Sequence, residues 1–135
     1  MSKKAIILVG HGSSMPYNKE VMIELAKKLE KRRKWDVVSY SFLERDTPSL
    51  SEAIEAVCED RLVETIVIAP VFISSGAHIK NDIPKILGLN NKEKTIEKDV
   101  GGEIRKFYYS TPIGADDKLA DVIHFNAINT LESQR

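Results

Sequence analysis

Apolar and polar positions alternate along the chain in a pattern that predicts strands and helices in turn. Ala5 to Val9 is an unbroken apolar run closed by Gly10, the pattern of a strand buried on both faces. After a loop from His11 to Tyr17, Val21, Met22, Leu25, Ala26 and Leu29 recur at helical spacing. The basic cluster from Lys27 to Lys34 closes this helix, where the macrodipole favours cations. Val37 to Leu43 predicts a second strand. For the next helix, Thr47 before Pro48 offers one N-cap, and Ser49 with Glu52 offers a competing capping box. Ala53, Ile54, Val57 and Cys58 are its expected core face. Thr65 to Ile73 predicts a third strand with Pro70 near its end, since proline donates nothing to a ladder. A short helix over Asp82 to Leu87 stops at Gly88, and residues 89–102 read as a mobile loop. Ile104 to Tyr109 predicts a fourth strand. Thr111-Pro112-Ile113-Gly114 turns into a last helix carrying Leu119, Val122, Ile123, Ala127 and Leu131. Four alternations of strand and helix imply an α/β fold: one domain, residues 1–135, with a four-stranded, mainly parallel sheet and helices on both faces.

Composition narrows what such a domain does. At 135 residues, 42% hydrophobic, the chain sustains one core. Twenty Lys and Arg balance twenty Asp and Glu, which leaves no basic footprint for a nucleic acid. No apolar run reaches the roughly 18 residues of a membrane span. The five apolar residues before Gly10 are too few for a signal-peptide core. A soluble, cytoplasmic protein is expected. Cys58 is the sole cysteine, so there is no internal disulfide or multi-cysteine zinc site, and the helical pattern makes it a buried, inert thiol.

In open parallel sheets, sites form beyond the carboxyl ends of the strands. Three loops stand there: Gly10-His11-Gly12-Ser13-Ser14, Glu44-Arg45-Asp46-Thr47 and Ser74-Ser75-Gly76-Ala77-His78. Two of the three histidines thus end two buried strands at one edge, where an imidazole binds a divalent metal or accepts a proton. Either histidine alone could be a turn residue bonded to backbone; their joint placement favours chemistry. The flanking glycines and Gly76 permit a bulky ligand to approach the backbone. Glu44 could steer a cation, Asp46 could support the next helix, and Thr47 could cap that helix and face the cleft. His124, inside the last helix, reads as a partly exposed structural histidine. No nucleophile elbow, phosphate loop or dinucleotide fingerprint is present.

At these residues the sequence resembles the short-form archaeal sirohydrochlorin chelatases, ATP-independent class II tetrapyrrole chelatases. The matching stretches are residues 8–13, 69–78, 82–88 and 112–117, so the likeness covers almost the whole chain. The resemblance implies a lyase that inserts cobalt(II) or nickel(II) into sirohydrochlorin, for cobalamin or for the nickel tetrapyrrole cofactor of methanogens. It implies that His11 and His78 face the metal, with His11 as proton acceptor. It implies substrate contacts at Ile73, Ser74, Ser75, Gly76, Ala77 and His78, and a further contact around Glu44 to Thr47. Some relatives carry a histidine-rich tract before the fourth strand; residues 91–100 hold no histidine. No permanently bound cofactor is expected, the metal ion being a substrate. Arg45 and Lys80 could meet the carboxylate arms of the macrocycle.

A non-catalytic tetrapyrrole or metal carrier using the same two histidines is the competing reading. A phosphate-binding enzyme built on Gly10 to Ser14 would call for a basic residue in that loop, and none stands there. Longer members of the class hold two such halves in one chain, so this chain is expected to form a homodimer with the strand-end loops of both subunits around the tetrapyrrole. The last helix and the Asp82 to Leu87 helix are the two candidate pairing surfaces.

Overall fold

A computed structural model describes residues 1–90 and 92–134. Its strands are β1 (Lys3–Gly10), β2 (Val37–Phe42), β3 (Val63–Pro70), β4 (Thr95–Val100) and β5 (Glu103–Tyr109). The helices are α1 (Tyr17–Lys31), α2 (Leu50–Val57), α3 (Ile83–Leu87) and α4 (Asp117–Ser133), with a π-helical turn at His78–Asp82 leading into α3. The sheet order is β2-β1-β3-β5-β4, parallel throughout except for β4, which runs antiparallel to β5.

The central strand explains the apolar run at the start of the chain. Ala5, Ile7 and Val9 join a cluster with Leu50, Ala53, Ile54 and Val57 of α2 and Ile83 and Leu87 of α3. Ile6 and Leu8 join Met22 and Ala26 of α1 on the opposite face. Successive side chains point to opposite faces, so a strand covered on both sides shows no polar alternation. Pro70 is the last residue of β3, as its missing N–H requires. At the start of α2 the capping box wins: the Ser49 hydroxyl accepts from the Glu52 N–H and the Glu52 carboxylate accepts from the Ser49 N–H. Those bonds hold the Glu52 carboxyl below its ordinary pKa. Thr47 is therefore not the cap.

One further expectation fails. The sheet has five strands, not four, because residues 89–102 are no mobile loop: they contain β4 (Asn91 lies outside the described residues). Val100 pairs with Glu103 across Gly101-Gly102, whose φ angles of +69° and +87° suit a primed two-residue hairpin turn. The strand Thr-Ile-Glu-Lys-Asp-Val is polar because it is a sheet edge. In α4, Val122, Ile123 and Leu131 are exposed and no residue is buried.

Candidate functional site

Three loops meet at the carboxyl edge, and backbone contacts fix their spacing. The Leu43 N–H donates to Gly10 O and the Glu44 N–H to His11 O, so the β1–β2 pairing continues past the strand ends. Gly12 sits at φ +96°, and a Cβ there would lie 1.6 Å from the Glu44 carbonyl oxygen. The close approach that Gly12 permits is thus by the neighbouring loop, not by a ligand. Gly76, in contrast, has open space where a Cβ would stand. Asp46 accepts from the Ser13 N–H, bracing the first loop instead of the following helix. Past β3, the Ile113 and Gly114 N–H groups donate to Phe72 O and Ile73 O, which ties the last connection to the third loop.

This framework brings His11 and His78 together, with ring centres 4.6 Å apart and planes at 75°. His11 Nε2 lies 2.7 Å from Glu44 Oε1, and His78 Nδ1 lies 2.6 Å from Asp82 Oδ2. An ionised carboxylate only accepts hydrogen bonds. Each pair therefore assigns the ring proton: Nε2–H on His11 and Nδ1–H on His78. The opposite nitrogens, Nδ1 of His11 and Nε2 of His78, keep their lone pairs. A carboxylate behind an imidazole fixes ring orientation and raises its basicity as a ligand. Phe72 flanks both rings at 6.4 and 6.0 Å between centroids, forming an apolar wall. Beneath the third loop the buried Tyr109 hydroxyl donates to Ile79 O, and burial pushes its pKa up to about 12.

The remaining expected residues divide. Ile73, Ser74, Ser75 and Ala77 are exposed at the edge, and Ile73 to Ser75 line a cavity of about 570 Å³ with Pro112, Leu119 and Ile123. The Thr47 side chain is exposed, and its carbonyl accepts from Lys19 Nζ. A cavity of about 910 Å³ lies behind the His78 turn and contains neither histidine; Lys80, Lys85, Lys92 and Lys94 line it with Ser75 and Tyr109. His124 is fully on the surface of α4. Among the described residues no three His, Cys, Asp or Glu side chains converge as a metal cage.

Asp82 and Phe72 were absent from the expected site. Asp82 is four residues after His78, but that spacing carries meaning only if the helical turn starts at His78, earlier than the sequence pattern placed it. Phe72 lies two residues beyond Pro70 and reads as an ordinary continuation of a buried strand.

Known proteins share this frame. Residues 5–129 match the CbiX family. A sirohydrochlorin cobaltochelatase of Methanosarcina barkeri is 40% identical over 122 residues, spanning 90% of this chain and 92% of that protein. A protein of the same description from Saccharolobus solfataricus is 36% identical over 118 residues, 87% of this chain and 88% of that one. In three dimensions the chain matches the sirohydrochlorin chelatase SirB of Bacillus subtilis subspecies spizizenii, solved with cobalt, at a TM-score of 0.73 and 23% identity. That match covers 94% of this chain and 50% of the Bacillus chain. A putative cobalamin biosynthesis CbiX protein from Marinobacter aquaeolei matches at 0.66 and 23% identity, covering 96% of this chain and 98% of that one.

Proposed function

The chain belongs to the CbiX family, and from that premise we propose that it inserts cobalt(II) or nickel(II) into sirohydrochlorin without a nucleotide. The observation that carries the proposal is the pair of imidazoles at the carboxyl edge, 4.6 Å apart, each held by its own carboxylate. Metallation releases two protons from the ring nitrogens and exchanges the ligands of a divalent ion. Neutral imidazole suits both cobalt and nickel. In this reading Nε2 of His78 and Nδ1 of His11 present lone pairs to the incoming ion. As the macrocycle's nitrogens replace them, His11 takes up one of the two protons, Glu44 stabilises the imidazolium that forms, and the other proton passes to water. Exposed backbone N–H groups along Ile73 to Ala77, and Lys80 beside them, meet the substrate's carboxylate arms.

The imidazole pair supplies few ligands and one wall, while a tetrapyrrole has two broad faces. A homodimer with both sets of strand-end loops around the substrate completes the reading, and the half-length match to the Bacillus chain supports it. The decisive experiment mixes protein, sirohydrochlorin and each metal and follows the visible absorption. Acceleration over a protein-free control that is lost in the His11→Ala/His78→Ala double variant is expected. Binding without acceleration would overturn catalysis in favour of a carrier.

A further inference from the structure

The carboxyl edge of the sheet carries a second concave surface that the histidines do not use. His11 and His78 follow β1 and β3, whereas the cavity of about 910 Å³ lies past β5, between Tyr109, Thr111 and Pro112 on one side and the His78 turn and α3 on the other. Its size is that of a small-molecule site, and its position is where parallel sheets hold ligands. Backbone contacts close it. The Tyr109 N–H donates to Lys94 O, and the Tyr109 hydroxyl donates to Ile79 O. Ile79, Leu89 and Tyr109 are buried, and together with Pro84 and Pro112 they make an apolar floor.

The exposed lining is basic: Lys80, Lys85, Lys92 and Lys94 stand against one carboxylate, Glu93. The whole chain has twenty basic and twenty acidic residues, so the excess is local. Glu93 is engaged with its own turn, where it accepts from the Asn90 N–H at 2.6 Å. Among the described residues none of the four lysines forms an ion pair. The Lys94 ammonium lies over the Tyr109 ring, 5.2 Å from its centre, which keeps it against the cavity floor. Like charges gathered round one concavity repel one another, and an anion bound there removes that cost.

The lining also narrows the kind of anion. Phosphate sites draw on helix N-termini, arginine forks or glycine-rich loops, and among the described lining residues there is no arginine and no glycine. Lysines are point charges on flexible stems. Here they come from three segments, the His78 turn, α3 and the approach to β4, so their charges are spread around an apolar floor. That arrangement suits separate carboxylates around an apolar body. We propose that the cavity is a second ligand site, which takes a small organic polycarboxylate and fills independently of the histidine pair. The site goes beyond the proposed function, because neither metal nor imidazole takes part in it. Ser75 lines both this cavity and the one beside Ile73, so the occupant lies next to the third loop without lying between the histidines.

The test needs no metal and no tetrapyrrole. Benzene-1,2,4,5-tetracarboxylate is titrated calorimetrically into the wild-type protein. One site per chain is expected, with affinity falling from about 0.01 M to about 0.15 M salt as the screening length shrinks from about 30 to about 8 Å. Lys85→Gln/Lys92→Gln/Lys94→Gln should weaken binding at least about tenfold, Lys85→Arg/Lys92→Arg/Lys94→Arg should retain it, and His11→Ala/His78→Ala should leave it unchanged. No binding by the wild type, binding that survives the glutamine variant, or loss in the histidine variant would overturn the separate site. Tripolyphosphate, whose charge is compact and has no apolar body, should bind more weakly than the tetracarboxylate; the reverse order would overturn the carboxylate assignment. A protein that binds the tetracarboxylate in this way and fails to metallate sirohydrochlorin would sink the enzymatic reading and leave this site standing.

Discussion

The two ends of the sheet hold charge for different ends. At the amino end Arg105 is fully buried, and its guanidinium donates to three backbone carbonyls, those of Cys58, Asp60 and Val63. Lys3 bonds to Asp60, and Arg61 forms a two-nitrogen contact with Glu103. These charges close the α2–β3 connection onto the starts of β1 and β5. At the carboxyl end the ionisable groups are half exposed, and each imidazole has one nitrogen bonded and one left over. Ionisable side chains anchor backbone at one end, and at the other they leave one ring nitrogen of each imidazole without a carboxylate. What differs is how much of each group is used: Arg105 donates to three backbone carbonyls, whereas each imidazole has one nitrogen on a single carboxylate.

That contrast breaks most visibly at Arg105. Arg105→Met takes the buried guanidinium bond from the Val63 and Cys58 carbonyls, while Asp60 O keeps the Val63 N–H, and each orphan costs about 1–3 kcal/mol. Urea unfolding should show a loss of at least about 2 kcal/mol, with metallation per folded molecule unchanged. A variant as stable as wild type would show that the amino-end network is not structural.

The converse holds at the other edge. His11→Ala and His78→Ala should each slow metallation at least about a hundredfold, the scale of positioned acid–base help, and change stability by less than about 0.5 kcal/mol. His124→Ala, on the exposed helix, should do neither. Asp82 refines the comparison because it acts through His78. Asp82→Ala should cost about tenfold in metallation, and Asp82→Asn should recover part of it, since an amide oxygen still accepts from Nδ1–H. Equal loss in both variants would mean that the charge, not the orientation of the ring, is what Asp82 supplies.

How much of this was legible depended on the range of the interaction that decides each residue. β1, the end of β3 at Pro70 and the burial of Cys58 were readable because local pattern and backbone chemistry settle them. The two histidines were readable because strand ends converge in a parallel sheet. β4 was hidden because an edge strand needs only Ile96 and Val100 inward. Arg105 was hidden because a charge within a strand reads as solvent-facing unless the carbonyls of a distant turn are known to surround it. Asp82 depended on a helix boundary, the least local feature of a short helix. In α4 the periodicity was visible and the absent intrachain partner was not, since a stripe of apolar residues states only that something covers it.

The smallest effect, and the one that separates the two ends by pH alone, concerns Lys3 and Asp60. The hydrogen bond from Lys3, followed by that from the Leu62 N–H, holds the Asp60 carboxyl below its ordinary value of 3.8. The same bond with Asp60 lifts Lys3 above 10.5. A depressed carboxylate contributes stability above its unfolded pKa and loses it as pH falls through the lower folded value. A raised ammonium contributes below its unfolded pKa and loses it as pH rises through the higher folded value. The contribution of the pair is therefore complete between about pH 4 and about pH 10.5. Because both groups are exposed, it is small and salt-sensitive. Asp60→Asn should lower stability by the same small amount at every pH in that window, and the gap to wild type should close under stronger acid. Metallation behaves oppositely, because an imidazole must be neutral to bind a metal ion and imidazoles titrate between about pH 5 and 8. Its rate should fall as pH drops through that range while the stability difference between wild type and Asp60→Asn stays level. A metallation rate that stays flat from about pH 8 to about pH 5 would remove the imidazoles from the metal's path.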